Sequence, residues 1–349
     1  MTINRRILIY GAGGLGVEVL NYLISVDRKP VCFIDRRGAE LDNVCGVNVY
    51  QLEDARERFS NPEDQVVIAV HNYQSPIAEI LKILNQSGYS NIATLWQFCQ
   101  QERWLPQEPY WLSPHFEWRS KQSEINSAYN LLDDDTSRRL FAEQIALRSH
   151  GDYVGLSTPD ASGQYAPDGL PPYSQPIRMI DCGAYDGDTI RNLIARGYEF
   201  EKVIAFEPDP ESFSRLDNYL QSNGLGEAIN TGTYDRTGTI RFSNLGTGAS
   251  HIDQRGEITI KVESLDSACK NFAPTLIKMD VEGAEAASIR GAENLISKYK
   301  PVLAISTYHK PDDLWILLLM IHQFDLNYHF YIRSHGCNGF DTVLYAVPA

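Results

Sequence analysis

The chain twice runs a short apolar segment into a glycine turn, a helical pattern and a second apolar segment that ends on an acid. Arg6 to Tyr10 leads into Gly11, Gly13 and Gly16, and Val31 to Ile34 then ends at Asp35. Ile177 to Cys182 leads into Gly183 and Gly187, and Val203 onward ends at Glu207. In both copies the acid stands 24 residues after the first glycine. Continuous apolar strands alternating with helices require a parallel sheet covered on both faces. The pattern therefore restricts the chain to two such α/β units. A length of 349 residues agrees, since a single core rarely grows beyond about 250–300 residues.

The rest of the chain fills in around these two copies. Val66 to Val70 as a strand, Ile77 to Leu84 as an amphipathic helix and Ile92 to Leu95 as a short strand complete a Rossmann-like unit over residues 1–96. Residues 97–176 read as a partly helical connector or lid. An aromatic, Gln- and Pro-rich stretch opens it, helices follow at Asn126 to Leu132 and Ser137 to Leu147, and a Gly/Pro loop runs from Gly151 to Gln175. Asp133 to Asp135 supply an acidic first turn to the second helix. Residues 177–349 form the second unit, with further strands at Ala228 to Thr233, Leu276 to Asp280, Val302 to Thr307, Tyr328 to Arg333 and Thr342 to Val347. Thr239 to Phe242 and Glu257 to Val262 alternate as half-exposed strands of an insertion.

A formal net charge of −14 works against nonspecific attraction to nucleic acid or anionic membranes. The longest apolar run, Leu314 to Ile321, falls far short of the roughly 20 residues that span a bilayer. The N-terminus lacks a signal pattern, so the expectation is a cytoplasmic protein, compatible with a homo-oligomer. Six scattered cysteines without Cys-x-x-Cys spacing suit reduced thiols better than disulfides or a zinc site.

Loop chemistry separates the two copies. The first loop, GAGGLG, offers bare amides and no acid, which suits an anionic nucleotide at a helix N-terminus as well as a turn kept for packing. The second, Gly183, Ala184, Tyr185, Asp186 and Gly187 before Thr189, is flanked and punctuated by Asp181, Asp186 and Asp188. Three carboxylates repel a pyrophosphate but can hold a cationic amino group, as in the methionine moiety of S-adenosylmethionine (SAM). Asp181 and Asp186 are the candidates for that contact. Glu207, followed by Pro208, is the candidate ligand of the ribose hydroxyls.

Five segments then carry a family resemblance: MIDCGAYDGDT at Met179 to Thr189, VIAFEPDP at Val203 to Pro210, Leu265 with Asp266, IKMDVEGAE at Ile277 to Glu285, and AISTYHKPDDLW at Ala304 to Trp315. In this order they resemble the FkbM family of SAM-dependent methyltransferases. The resemblance implies a class I methyltransferase fold, a seven-stranded sheet with one antiparallel strand near its end, and O-methylation of sugars or other hydroxylated natural products. Residues 1–96 resemble the nucleotide-sugar-binding domains of bacterial sugar acyltransferases, although Leu15 stands where those often have a His after GAGG.

Residues following the fourth and fifth strands face the acceptor in such a sheet, namely Asp280, Glu282, Tyr308 and His309. His309 is the expected base, and its bland alternative is capping or packing near Pro311. Asp280 and Glu282 could serve as base, position the amine, bind a divalent metal with His309, or cap the helix near Ala284. Asp235 could meet the adenine amino group, and Asp266 could cap a helix at Ser267. Trp104, Trp111 and Trp118 could stack on a sugar or pack the connector. The rival readings centre on the first unit. One is a nucleotide-dependent oxidoreductase or epimerase using NAD or a nucleotide sugar; the other is a binding module without chemistry. The only Tyr-x-x-x-Lys, Tyr198 with Lys202, lies outside that unit, which favours the module. A small molecule or glycan is the expected acceptor.

Overall fold

A computed structural model describes residues 6–59, 61, 63–244, 250–252 and 258–349. It divides the chain into two compact units that are discontinuous in sequence. The first comprises Met1–Glu117, Glu143–Thr158 and Gly336–Phe340; the second comprises Trp118–Ala142, Pro159–His335 and Asp341–Ala349. Among the described residues no helix is long and apolar enough to cross a membrane.

The first unit holds β1 (Ile7–Tyr10), α1 (Gly14–Ser25), β2 (Cys32–Ile34), β3 (Asn43–Val44), β4 (Val47–Tyr50), α2 (Leu52–Arg58), β5 (Gln65–Ile68), α3 (Ile77–Gln86), β6 (Asn91–Ala93) and α4 (Leu95–Glu102). The sheet order is β3-β4-β2-β1-β5-β6, parallel throughout except for the β3–β4 hairpin. That hairpin escapes a reading by apolar runs because its strands are short. It turns on Cys45 and Gly46, both at positive φ as a tight two-residue hairpin requires. Leu95, expected to end a strand, instead opens α4, because Thr94 and Gln97 form a capping box at its start.

The second unit begins with α5 (Gln122–Asn130) and the start of α6 (Asp135–His150), where Asp134 accepts the Ser137 amide at 2.6 Å. Its main elements are β7 (Ile177–Cys182), α7 (Asp188–Ala195), β8 (Phe200–Phe206), α8 (Pro210–Asn223), β9 (Gly226–Ile229), β10 (Gly232–Thr233), β11 (Gly238–Asn244), β12 (Ser250–Ile252), β13 (Ile258–Glu263), α9 (Leu265–Ala268), β14 (Leu276–Met279), α10 (Glu285–Arg290), α11 (Glu293–Tyr299), β15 (Val302–Ser306), α12 (Asp313–His322), β16 (Tyr328–Ser334) and β17 (Thr342–Pro348).

Its principal sheet runs β16-β17-β15-β14-β7-β8-β9, with β17 antiparallel to both neighbours and the rest parallel. This is the class I methyltransferase fold that the sequence implies. A smaller sheet, β10-β13-β11-β12, contains the two expected insertion strands, paired antiparallel; Glu257, expected in one of them, lies outside the described residues. The principal sheet is packed by Ile177, Met179, Val203, Ala205, Leu276 and Ala304, all buried. Burying one such aliphatic chain contributes about 1.5–3 kcal/mol. Strand order reverses at β7: β8 and β9 continue to one side, β14 and β15 to the other. Loops leaving β7 and β14 part at that point, and the crevice between them is where ligands of open parallel sheets bind.

Candidate active site

The loop after β7 is built to present backbone. Gly183 sits at φ +75, and a Cβ there would collide with the carbonyl of Asp280, so only glycine lets the two chains meet. Its amide and that of Ala184 both donate to the carbonyl of Phe206 at 3.0 Å. Ala184 and Thr189 are buried, Gly187 is the N-cap of α7, and Tyr185 stands about half exposed with the Arg215 guanidinium over its ring. Asp186 is paired with Arg191.

Glu207 follows β8 and is nearly buried. One carboxylate oxygen accepts the Tyr185 amide at 2.8 Å and the other accepts the Asp209 amide at 2.8 Å. An ionised carboxylate has about four acceptor positions, so two stay open. Burial pushes its carboxyl up to about 7, with the two backbone donors pulling the other way. Pro208 precedes Asp209, which caps α8 through the Ser212 amide.

Asp181 is fully buried, and its carboxylate faces the Lys278 ammonium at 3.1 Å. Lys278 is itself 3% exposed and also donates to the carbonyl of Gly183 at 2.6 Å. Although burial opposes its charge, Asp181, Asp280 and Asp188 hold the ammonium above the ordinary lysine value. The work that the geometry gives Asp181 is to neutralise the lysine that pins the glycine loop from beneath. Lys278 had no role in the sequence reading. Its signal was a charged residue in the otherwise buried run LIKM.

Across the crevice, four groups converge. Asp280 follows β14, and its oxygens receive Tyr165 Oη at 2.9 Å and Tyr308 Oη at 3.4 Å. Glu282 follows at positive φ, and His309 follows β15. His309 Nδ1 lies 2.8 Å from Glu285 Oε1, while Nε2 lies 3.5 Å from Asp280 and 3.4 Å from Glu282. Burial disfavours the imidazolium, but Glu285, Glu282 and Asp280 outweigh it and raise His309 to about 10. Near neutral pH the ring therefore carries its proton. The same crowding, on top of burial, pushes Asp313 and Asp341 up to about 7.

Glu285, absent from the expected site, ties down the turn between β14 and α10: its Oε1 accepts the Val281 amide at 2.9 Å, while α10 itself, with Ala284 at its N-cap, has no side-chain cap hydrogen bond, so the capping weighed for Asp280 and Glu282 is not made. An acid opening a helix two residues after Gly283 was the available signal. Tyr165 comes from a long irregular segment and left no sequence signal. Asp266 accepts the Asn294 and Leu295 amides, so it serves the start of α11 rather than a helix at Ser267. Asp235 faces Arg236 and Arg290. Of the three tryptophans, Trp104 packs on Tyr22 and Phe98, Trp111 is buried beside His71 and Tyr153, and Trp118 packs on Trp315.

In the first unit the corresponding acid is filled. Asp35 accepts the Ala12 amide, the Arg37 amide and two Arg37 guanidinium nitrogens, each at 2.9 Å, two per oxygen. Gly16 packs so close to Gly11 that a Cβ would strike its carbonyl, whereas Gly13 faces open space.

Comparison with known proteins bears on the second unit. Residues 181–334 match the family described as Methyltransferase FkbM domain. A hexuronic acid methyltransferase, AglP of Haloferax volcanii, is 31% identical over 108 residues, which cover 29% of this chain and 45% of that protein. The chain thus spans under half the length of this curated relative. The crystal structure of Methyltransferase FkbM from Methylobacillus flagellatus superimposes with a TM-score of 0.81 at 23% identity, covering 98% of this chain and 90% of that one. The match to the Methyltransferase FkbM domain thus falls wholly within the second unit.

Proposed function

We propose that the chain is a SAM-dependent methyltransferase acting on a hydroxyl of a sugar, glycan or other natural product. The observation that carries this reading is Glu207, rigidly held by two amides and left with two open acceptor positions, the number a ribose diol requires. Gly183 to Gly187 supply the close-approach backbone, and the acid at Asp280, beside the loop, favours a cationic ligand, whereas the charge of Asp186 is already met by Arg191. SAM, when bound there, supplies an electrophilic methyl group on a sulfonium. The acceptor hydroxyl belongs beside Asp280, Glu282 and His309, which orient it and take up its proton. Orientation is worth about 7–11 kcal/mol of barrier when reacting atoms are held near attack distance. Because His309 is protonated near neutral pH, the proton acceptors in this arrangement are the carboxylates of Asp280 and Glu282, and a direct base role for His309 belongs to alkaline pH. The sugar class is supported by the hexuronic acid methyltransferase relative.

Calorimetry with SAM tests the first half: saturable binding that Glu207→Gln weakens is expected, and no binding by the unaltered chain would refute it. Incubation with labelled SAM and a panel of uronic acids, hexoses and host extract, followed by mass spectrometry, tests the second.

For the first unit we favour binding of a nucleotide or nucleotide sugar without chemistry. All four acceptor positions of Asp35 are occupied, which weighs against its holding the adenosine ribose of NAD and so against the oxidoreductase or epimerase reading. Thermal shifts with UDP-sugars, dTDP-sugars and NAD test this, and stabilisation by NAD alone overturns it.

A further inference from the structure

Asp280 is held by a residue that arrives from outside the sheet. Tyr165 lies in the irregular stretch between α6 and β7, is buried, and donates its hydroxyl to Asp280 Oδ2 at 2.9 Å. The other oxygen, Oδ1, stands 3.4 Å from Tyr308 Oη and 3.5 Å from His309 Nε2. The shortest of these contacts sets the rotation of the carboxylate: with Oδ2 engaged by Tyr165, Oδ1 is the oxygen turned toward the end of β15. The Tyr165 ring also covers Lys278, whose ammonium lies 5.4 Å from the ring centroid while donating to the carbonyl of Gly183. One side chain thus meets both the acid of the acceptor loop and the cation under the cofactor loop.

A chain of directed hydrogen bonds, all within the second unit, holds Tyr165 in turn. Its amide donates to Tyr345 Oη at 2.9 Å, and its carbonyl accepts Tyr173 Oη. Tyr345 Oη lies 2.9 Å from His335 Nε2, and His335 Nδ1 lies 2.7 Å from the carbonyl of Asp160. A carbonyl only accepts, so Nδ1 carries the proton. Burial holds the imidazole below its ordinary value, so Nε2 is bare and accepts from Tyr345, whose oxygen then receives the Tyr165 amide. The Asp160 amide closes the path on the carbonyl of Ser334 in β16. These bonds keep Tyr165 at φ +62, a region that a bulky residue holds only when its surroundings impose it. Packing alone would be served by phenylalanine at positions 165, 173 and 345, since a buried hydroxyl is a cost unless it is paired. The hydroxyls here make a frame that ends on the Asp280 carboxylate.

We propose that Tyr165 is a positioning residue for methyl transfer: its hydroxyl fixes the Asp280 carboxylate against the acceptor hydroxyl, and Tyr345 and His335 hold Tyr165 in place. The inference deepens the methyl-transfer reading and rests on it for the task of Asp280. In that reaction the acceptor oxygen bonds to the methyl carbon, the electron pair of the broken C–S bond returns to sulfur, and the acceptor proton passes to a carboxylate. Tyr165 neither gains nor loses a proton. Its contribution is placement, and an error of about 1 Å in placement can cost roughly a hundredfold in rate.

Tyr165→Phe tests this, because it removes one oxygen and keeps the ring over Lys278. With labelled SAM and the panel of sugars and host extract, the variant should lower kcat about 10–100-fold, while acceptor KM and the Kd for SAM by calorimetry stay within about twofold. In an Asp280→Asn background it should cost less than about twofold further, since no carboxylate remains to be placed. Tyr345→Phe cuts the frame one step back; it should give a smaller loss of kcat that does not multiply with that of Tyr165→Phe, and it carries the test if Tyr165→Phe fails to fold. A kcat for Tyr165→Phe within about twofold of the parent overturns the proposal, as does a loss that multiplies with Asp280→Asn or is matched by a fall in SAM affinity, the mark of a merely structural role. The two readings fail differently. Transfer by the unaltered chain that Tyr165→Phe leaves intact sinks the positioning role alone, whereas no transfer by the unaltered chain sinks the methyl-transfer reading and the proposal with it.

Discussion

The two glycine loops begin alike and end in opposite electrostatic conditions. In each, the acid closing the second strand accepts an amide from the loop, from Ala12 to Asp35 and from Tyr185 to Glu207. Asp35 is then saturated by Arg37, which holds its carboxyl well below the ordinary range. Among the described residues Glu207 meets no cation at hydrogen-bond distance, and burial raises it to about 7. Equal spacing in sequence thus yields one acid whose valences are spent inside its own unit and one that keeps two in reserve. What decides is the residue after the strand: Arg36 and Arg37 in one case, Pro208 and Asp209 in the other.

Four perturbations break or sharpen that contrast. The largest concerns the cation beneath the second loop. Lys278→Met leaves Asp181 buried without its partner and should cost about 3–5 kcal/mol in denaturant unfolding, much of it recovered when Asp181→Leu is added. A single-variant cost below about 1 kcal/mol would remove the pair as the support of the loop. Next, Glu207→Gln should lose about 1.5–3 kcal/mol of SAM binding by calorimetry, while Asp35→Asn leaves it unchanged. The unaltered chain should bind SAM more tightly as pH rises from 6 to 8, because ionised Glu207 is the better acceptor, and the Gln variant should show a flat profile. For an acid raised in the folded state the stability effect runs the other way. Its contribution falls as pH climbs from its ordinary value to about 7 and is level above that.

Third, Gly16→Ala should destabilise the first unit by about 1–3 kcal/mol, as its methyl meets the Gly11 carbonyl, whereas Gly13→Ala stays within about 0.5 kcal/mol. Thermal unfolding of both reads the difference. Smallest is Arg37→Ala, about 0.5–1 kcal/mol, because the guanidinium is nearly half exposed and partly screened. Asp35 is depressed in the folded state, so its contribution is present above the ordinary carboxylate value and lost as pH falls below it. The variant should therefore show a shallower acid limb than the parent.

Sequence periodicity was enough to place most strands of the principal sheet, since buried parallel strands appear as unbroken apolar runs; the expected strand Ala228 to Thr233 is instead split between β9 of that sheet and β10 of the smaller one. It failed where structure is made by single residues. The β3–β4 hairpin depends on the backbone at Cys45 and Gly46, and α4 starts on the Thr94 cap rather than on an apolar pattern. Within the site, Glu207, Asp280, Glu282 and His309 were legible as acids and a histidine at strand ends. Their electrostatics were not, because the protonation of His309 is set by Glu285, 24 residues away in the chain, and the occupation of Asp181 by Lys278 depends on register between β7 and β14. Tyr165, which meets Asp280 from an irregular segment, follows no period at all.

Where Gly183 touches the carbonyl of Asp280, the cofactor loop and the acceptor loop meet main chain to main chain. Side chains absorb small displacements by changing rotamer, and two abutting backbones have no such slack. A displacement of either loop is therefore expected to reach the other. Any occupant that tightens the first loop therefore also sets the position of Asp280, and by reciprocity an occupant at Asp280 changes the affinity of the first loop by the same factor. The missing methyl group of one glycine makes the two half-sites thermodynamic partners.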